Sequence, residues 1–181
     1  TREGGGGTSG DLKSQLDANG PTVNGVPFSQ QVPVRGPKSI YTVIKYSPEL
    51  QRLQKQANYP FFLTNRKYGD NVFDKGATSL NGREISIFIK AFESNLTLAY
   101  VVGHELNHSW HLSTSIHGDW MRQHNILGQM GLYVSEVHAY AWEIRWGSHL
   151  KPWGGFNDYL GYLHNNRNNP IHNYDNPYNL R

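Results

Sequence analysis

Apolar residues recur at helical spacing over residues 96–112, where Leu98, Val101, Val102 and Leu106 form one stripe and Ser94 or Asn95 stands at the capping position. A second helix is predicted over 132–146, with Tyr133, Val137, Tyr140 and Ile144 spaced for a buried face and Gly147 as its stop. Ahead of these helices the period changes. Ile40, Thr42, Ile44 and Tyr46 alternate with Tyr41, Val43 and Lys45, which predicts a strand that stops at Pro48. Ser47 and Pro48 then open a short polar helix to about Gln56, closed by Asn58 and Pro60. Residues 61–64 and 85–92 are further strand candidates, separated by a turn-rich stretch over 68–82. A connection over 117–131 carries a short helix near 120–127, and a helical turn is expected at 156–163 before an irregular tail.

Residues 1–38 lack sustained apolar periodicity and hold eight of the nineteen glycines and four of the nine prolines, so they are expected to form a linker or a loosely draped arm with a short helix over 11–16. The remainder, 39–181, is long enough to bury a core as one domain. There is no cysteine, so any metal must be held by histidine and carboxylate. The formal charge of +3 and the pI near 9.1 are not concentrated in any basic run, which argues against nucleic acid as a partner. No apolar stretch is long enough to span a bilayer, and the first residues have neither the basic n-region nor the hydrophobic core of a signal peptide. A chain beginning at Thr1 is expected to be a processed product or an excised piece of a longer protein.

Chemistry concentrates in His104-Glu105-Leu106-Asn107-His108. Residues four apart on an α-helix are separated by about 40° around its axis, so the two imidazoles project side by side as a chelate. Glu105 falls on the flank of that pair, where a general base belongs. With nine histidines and seven glutamates in 181 positions, chance would give this pattern roughly 0.02 times. The apolar approach through Val101 and Val102 implies a helix embedded in a core, where unpaired polar groups are costly.

The segment from Val101 to Trp110 resembles the active-site helix of the zincin metallopeptidases. That resemblance implies Zn2+ held by His104 and His108, Glu105 as general base and proton shuttle, and a third ligand from further along. It also implies an α+β fold in which a small mixed or antiparallel sheet packs on the active-site helix and a second, ligand-bearing helix. The metzincin pattern places its glycine and third histidine where this chain has His111 and Thr114, and is disfavoured. The segment Ser135 to Glu143 is similar to the downstream helix of gluzincins, whose glutamate ligand corresponds to Glu136, with Ala139 keeping that face small. Glu143 is the rival ligand, or a partner orienting a ligand histidine.

Other residues carry candidate roles. Tyr140 or His138 would polarise a scissile carbonyl, with Tyr140 preferred. His111, almost two turns from His104, follows the metal face and is a candidate to orient a ligand or meet substrate; His117, Asp119 and His124 border the expected cleft. The 85–92 strand is a candidate edge for an extended peptide. The Asn95-Leu96-Thr97 sequon is better explained as the start of a helix. These features predict a zinc-dependent endopeptidase acting on protein or peptide substrates. The layout, a metal domain behind a Gly/Pro-rich arm, is similar to the C-terminal toxin domains of bacterial polymorphic toxins, including Rhs-type proteins. That likeness implies a secreted effector delivered into a target cell and a cognate immunity protein that blocks its cleft. The alternative is a binding module on a zincin scaffold whose metal is structural, a reading that the intact Glu105 disfavours.

Overall fold

The computed structural model describes residues 10–64, 75–124 and 128–148, with side chains for all of these except 120–124 and 128–133. The motif helix is its centre. This helix, α4 (Asn95–Ser113), is capped by Ser94, whose hydroxyl accepts from the Thr97 N–H at 3.0 Å. Leu98, Val102, Leu106 and Ser109 are fully buried on one face, and Tyr100, Gly103 and Asn107 are buried on the opposite one. A helix covered on every side must be surrounded. The surrounding elements are α1 (Leu12–Asn19), α2 (Pro37–Tyr46), α3 (Pro48–Gln56), α5 (Ser115–His124), α6 (Gly128–Arg145) and a three-stranded sheet.

The sheet is mixed, with order β1 (Phe61–Leu63), β3 (Glu84–Ile87), β2 (Gly76–Thr78). β1 runs parallel and β2 antiparallel to β3, with Phe62 opposite Ile85 and Ala77 opposite Ser86. Ile85 and Ile87 are fully buried, and the chain then turns into a 3-10 helix over Ile89–Glu93. The strand expected over 85–92 therefore ends at Ile87. It is also the central strand, paired on both sides, so it cannot be the edge that receives a peptide.

Three further expectations are corrected. Residues 40–46, predicted as a strand, lie in α2, where Pro37 occupies the first turn and Ile40, Val43 and Ile44 share one buried face. Ile40 and Ile44 fit alternation and helical spacing alike, but Val43 shares their face only in a helix, and packing against α4 overrides the β-propensity of the run. The N-terminal segment belongs to the folded body from Asp11 onward. Asp11 caps α1 by accepting from the Ser14 N–H at 2.9 Å, Leu12, Leu16 and Phe28 join the core, and the Gln31 carbonyl accepts from the Asn95 N–H at 2.9 Å. The buried face of α6 is rotated from the predicted one: Val134, Val137, His138, Ala141 and Trp142 are inside, while Ile144 is exposed.

Helices α4 and α6 approach closely at one residue. A Cβ built on Gly103 would lie 1.8 Å from the Trp142 ring, so only glycine admits this indole. The indole N–H donates to Glu49 at 3.0 Å, and Glu49 pairs in turn with Arg52. Helix α6 ends in a Schellman motif: the Gly147 N–H reaches Ile144 O at 3.1 Å and the Ser148 N–H reaches Glu143 O at 2.9 Å, with Gly147 at φ +92°. The Trp146 carbonyl accepts from the Leu12 N–H at 3.1 Å and the Tyr100 hydroxyl at 2.8 Å, which ties α1 and α4 to the end of α6. The expected helical turn over 156–163 and the tail lie outside the described residues. Among the described residues no helix is long and apolar enough to cross a membrane.

Candidate metal centre

Facing turns of α4 and α6 bring His104, His108 and Glu136 together. The two Nε2 atoms are 3.1 Å apart; His104 Nε2 lies 3.3 Å from Glu136 Oε2, and His108 Nε2 lies 3.1 Å from Glu136 Oε1. A tetrahedral zinc ion with bonds of about 2.0–2.1 Å separates its ligand atoms by about 3.3 Å. The three donors already have that spacing. Their composition, two imidazoles and one carboxylate, suits a catalytic zinc, which takes three protein ligands and keeps a fourth position open. Glu136 is the most exposed of the three, at 31 % against 13 % and 10 % for the histidines, so the site opens to solvent on its side.

The outward nitrogens are also held. His104 Nδ1 lies 2.8 Å from Glu143 Oε2, and His108 Nδ1 lies 2.7 Å from Ser135 Oγ. A carboxylate at His104 Nδ1 and a hydroxyl at His108 Nδ1 can each accept the ring proton, which would leave both Nε2 lone pairs to a metal, the arrangement found behind metal-ligating histidines. Burial pushes the His104 pKa down, but the hydrogen bonds and charges of Glu136 and Glu143 overcome this and raise it well above the ordinary histidine value. Burial alone would raise the Glu136 carboxyl, yet His108 and His104 draw it well below the carboxylate range. In the metal-free protein a proton on His104 would offset part of the charge of the two acids beside it. A divalent cation would replace it.

Glu105 leaves the helix on another side. It is buried against β2, where the Thr78 hydroxyl donates to its Oε2 at 2.6 Å, and a Cβ on Gly76 would come within 3.2 Å of its Oε1. Tyr140, one turn after Glu136, sets its ring edge-on to His104 with centroids 4.7 Å apart. His138 packs against His111 at 5.4 Å, and His111 is fully buried between it and Trp110. His117 and Asp119 are half-buried on α5, and the His124 side chain lies outside the described residues. Asn95 is buried and donates to the Phe28 carbonyl at 2.9 Å, as befits a helix start.

Two contributors escaped the sequence argument. Ser135 precedes Glu136 directly, and that adjacency was its one available signal. Thr78 lies on a three-residue strand with no periodicity to mark it. Comparison of the chain with protein-family models, curated proteins and solved structures gave no match.

Proposed function

We propose that this chain is a zinc-dependent hydrolase, and specifically an endopeptidase. The observation that supports it is the convergence of His104, His108 and Glu136 at tetrahedral spacing, with a buried carboxylate, Glu105, on the next residue of the same helix. Bound there, zinc would supply Lewis-acid chemistry that makes water a nucleophile near neutral pH. The protein's own groups do the rest. Glu105, steadied by Thr78 at Oε2, keeps Oε1 to take the proton of the attacking water and return it to the leaving amine as the C–N bond breaks. Tyr140, placed beside His104, is the candidate donor to the developing oxyanion.

A peptide substrate has a docking edge in β2. The hydrogen bonds from Phe88 N to Lys75 O and from Ser79 N to Glu84 O turn residues 75, 77 and 79 toward β3, leaving the backbone groups of Gly76 and Thr78 facing outward. No strand pairs with that side among the described residues. An extended chain added there would run beside Glu105, which favours a peptide over a compact substrate.

The deciding experiment compares wild type with Glu105→Gln, which keeps the Thr78 contact and removes the base. Zinc content is measured by atomic emission, and cleavage of a peptide library by mass spectrometry. One zinc per chain in both proteins, with cleavage lower in the variant by about 10²–10⁴-fold, is expected. A folded wild type that takes up no zinc, or a variant that cleaves as well as wild type, would overturn the proposal.

A further inference from the structure

Behind His108 the structure holds a second histidine on the far side of one hydroxyl. Ser135 Oγ lies 2.7 Å from His108 Nδ1 and 2.8 Å from His111 Nδ1, and both Ser135 and His111 are fully buried. A serine hydroxyl carries one proton to donate and lone pairs to accept. With a metal ion bound at His108 Nε2, beside His104 Nε2 and Glu136, the His108 ring proton would sit on Nδ1, so Ser135 would accept there. Its own proton is then directed at His111, which must receive it on a bare Nδ1 and carry its ring proton on Nε2. The reverse direction would require His108 to accept at Nδ1 while lending Nε2 to a metal, leaving an imidazolate with no cation behind it.

We infer that Ser135 and His111 are positioning residues of the metal centre, forming a one-way relay His108 Nδ1–H to Ser135 Oγ–H to His111 Nδ1 that fixes the tautomer and ring plane of His108. This inference rests on the zinc site proposed above. The relay needs His111 neutral, and its surroundings keep it so: complete burial first, and then the nearby His108 and His117, hold its pKa well below the ordinary value. Packing between Trp110 and His138 fixes the ring. The two ligand histidines are thus supported differently, His104 by the charged Glu143 and His108 by a neutral chain.

The test measures zinc affinity by competition with a chromophoric chelator for wild type, Ser135→Ala, His111→Leu, the double variant and His111→Asn, with thermal melts of the metal-free proteins alongside. Ser135→Ala and His111→Leu should each weaken zinc binding by about 10–100-fold. The double variant should lose no more than the worse single one, because His111 acts only through Ser135. His111→Asn, which can return an acceptor oxygen near the Nδ1 position, should recover affinity. A merely structural role would instead lower the metal-free melting temperature and give losses that multiply. Imidazole 15N shifts of zinc-loaded wild type provide a readout without any substitution: His111 should be protonated at Nε2. A His111 proton on Nδ1, or unchanged affinity in both single variants, would overturn the relay while leaving the zinc centre standing. A wild type that binds no zinc would bring down both.

Discussion

Glu136 and Glu143 are both carboxylates within reach of His104, and the nitrogen each one meets separates their roles. Glu136 faces Nε2 together with His108, whereas Glu143 faces Nδ1 from behind. Glu136→Gln should therefore abolish stoichiometric zinc, while Glu143→Gln, which keeps an acceptor but loses the charge, should weaken affinity by about tenfold with zinc still bound at saturation. Isothermal calorimetry on the two variants checks this; equal losses would remove the distinction, and a greater loss in Glu143→Gln would reverse it. At this scale the chelate was legible because His104 and His108 are related by one helical turn, a purely local fact. Choosing between the glutamates was not, since it depends on how α6 is rotated against α4. Thr78 was less legible still, because a three-residue strand brings it to Glu105 from a distant part of the chain.

Asp17 offers a test of a different kind. Burial raises its pKa, but the Ser29 N–H at 2.8 Å and Lys13 at 3.1 Å outweigh that and hold it below its ordinary value of 3.8. A depressed folded pKa contributes stability that is complete above the unfolded value and lost as pH falls through the folded one. Wild type should consequently melt above Asp17→Asn at pH 6, and the two melting temperatures should converge as pH drops below about 3.8. A constant gap down to the lowest pH would refute the assignment.

Among the elements, the contact between α4 and α6 brings the candidate metal-binding group together, because each helix supplies part of it. Gly103 makes that contact possible by admitting Trp142 onto the helix backbone. Gly103→Ala should cost about 1–3 kcal/mol in chemical denaturation, despite the better helix propensity of alanine, because the added methyl overlaps a buried ring. Zinc affinity should fall with it, as the helices are forced apart. An alanine variant as stable as wild type would mean that the indole can move aside. The elements themselves were unevenly readable. α3 and α4 carried caps at the expected places, α3 with Pro48 in its first turn, and periodicity marked the existence of α6, though not its inner face. α2 was misread because its β-branched residues alternate and Ile40 and Ile44 fit both periods, although Val43 shares their face only in a helix.

For the whole molecule, the N-terminal segment has the largest consequence. Its glycine and proline content resembles that of a linker, yet Leu12, Leu16 and Phe28 sit in the core around α4. Burying each such side chain is worth about 1.5–3 kcal/mol, so losing three removes an amount comparable to the net stability of a typical domain. A chain trimmed to residues 39–181 should show no cooperative thermal transition by circular dichroism, where full-length protein shows one. A cooperative melt in the trimmed chain would restore the arm to the status of a dispensable linker.

The bond between the Leu12 N–H and the Trp146 carbonyl also imposes an order in time. During synthesis α1 leaves the ribosome long before the residue it must grip, and it cannot take its final place until α6 has followed. The same delay applies to the ligands, since His104 and His108 are made well before Glu136. If the proposed zinc centre holds, its ligand set is complete only once Glu136 has followed His104 and His108 out of the ribosome and α6 has packed on α4.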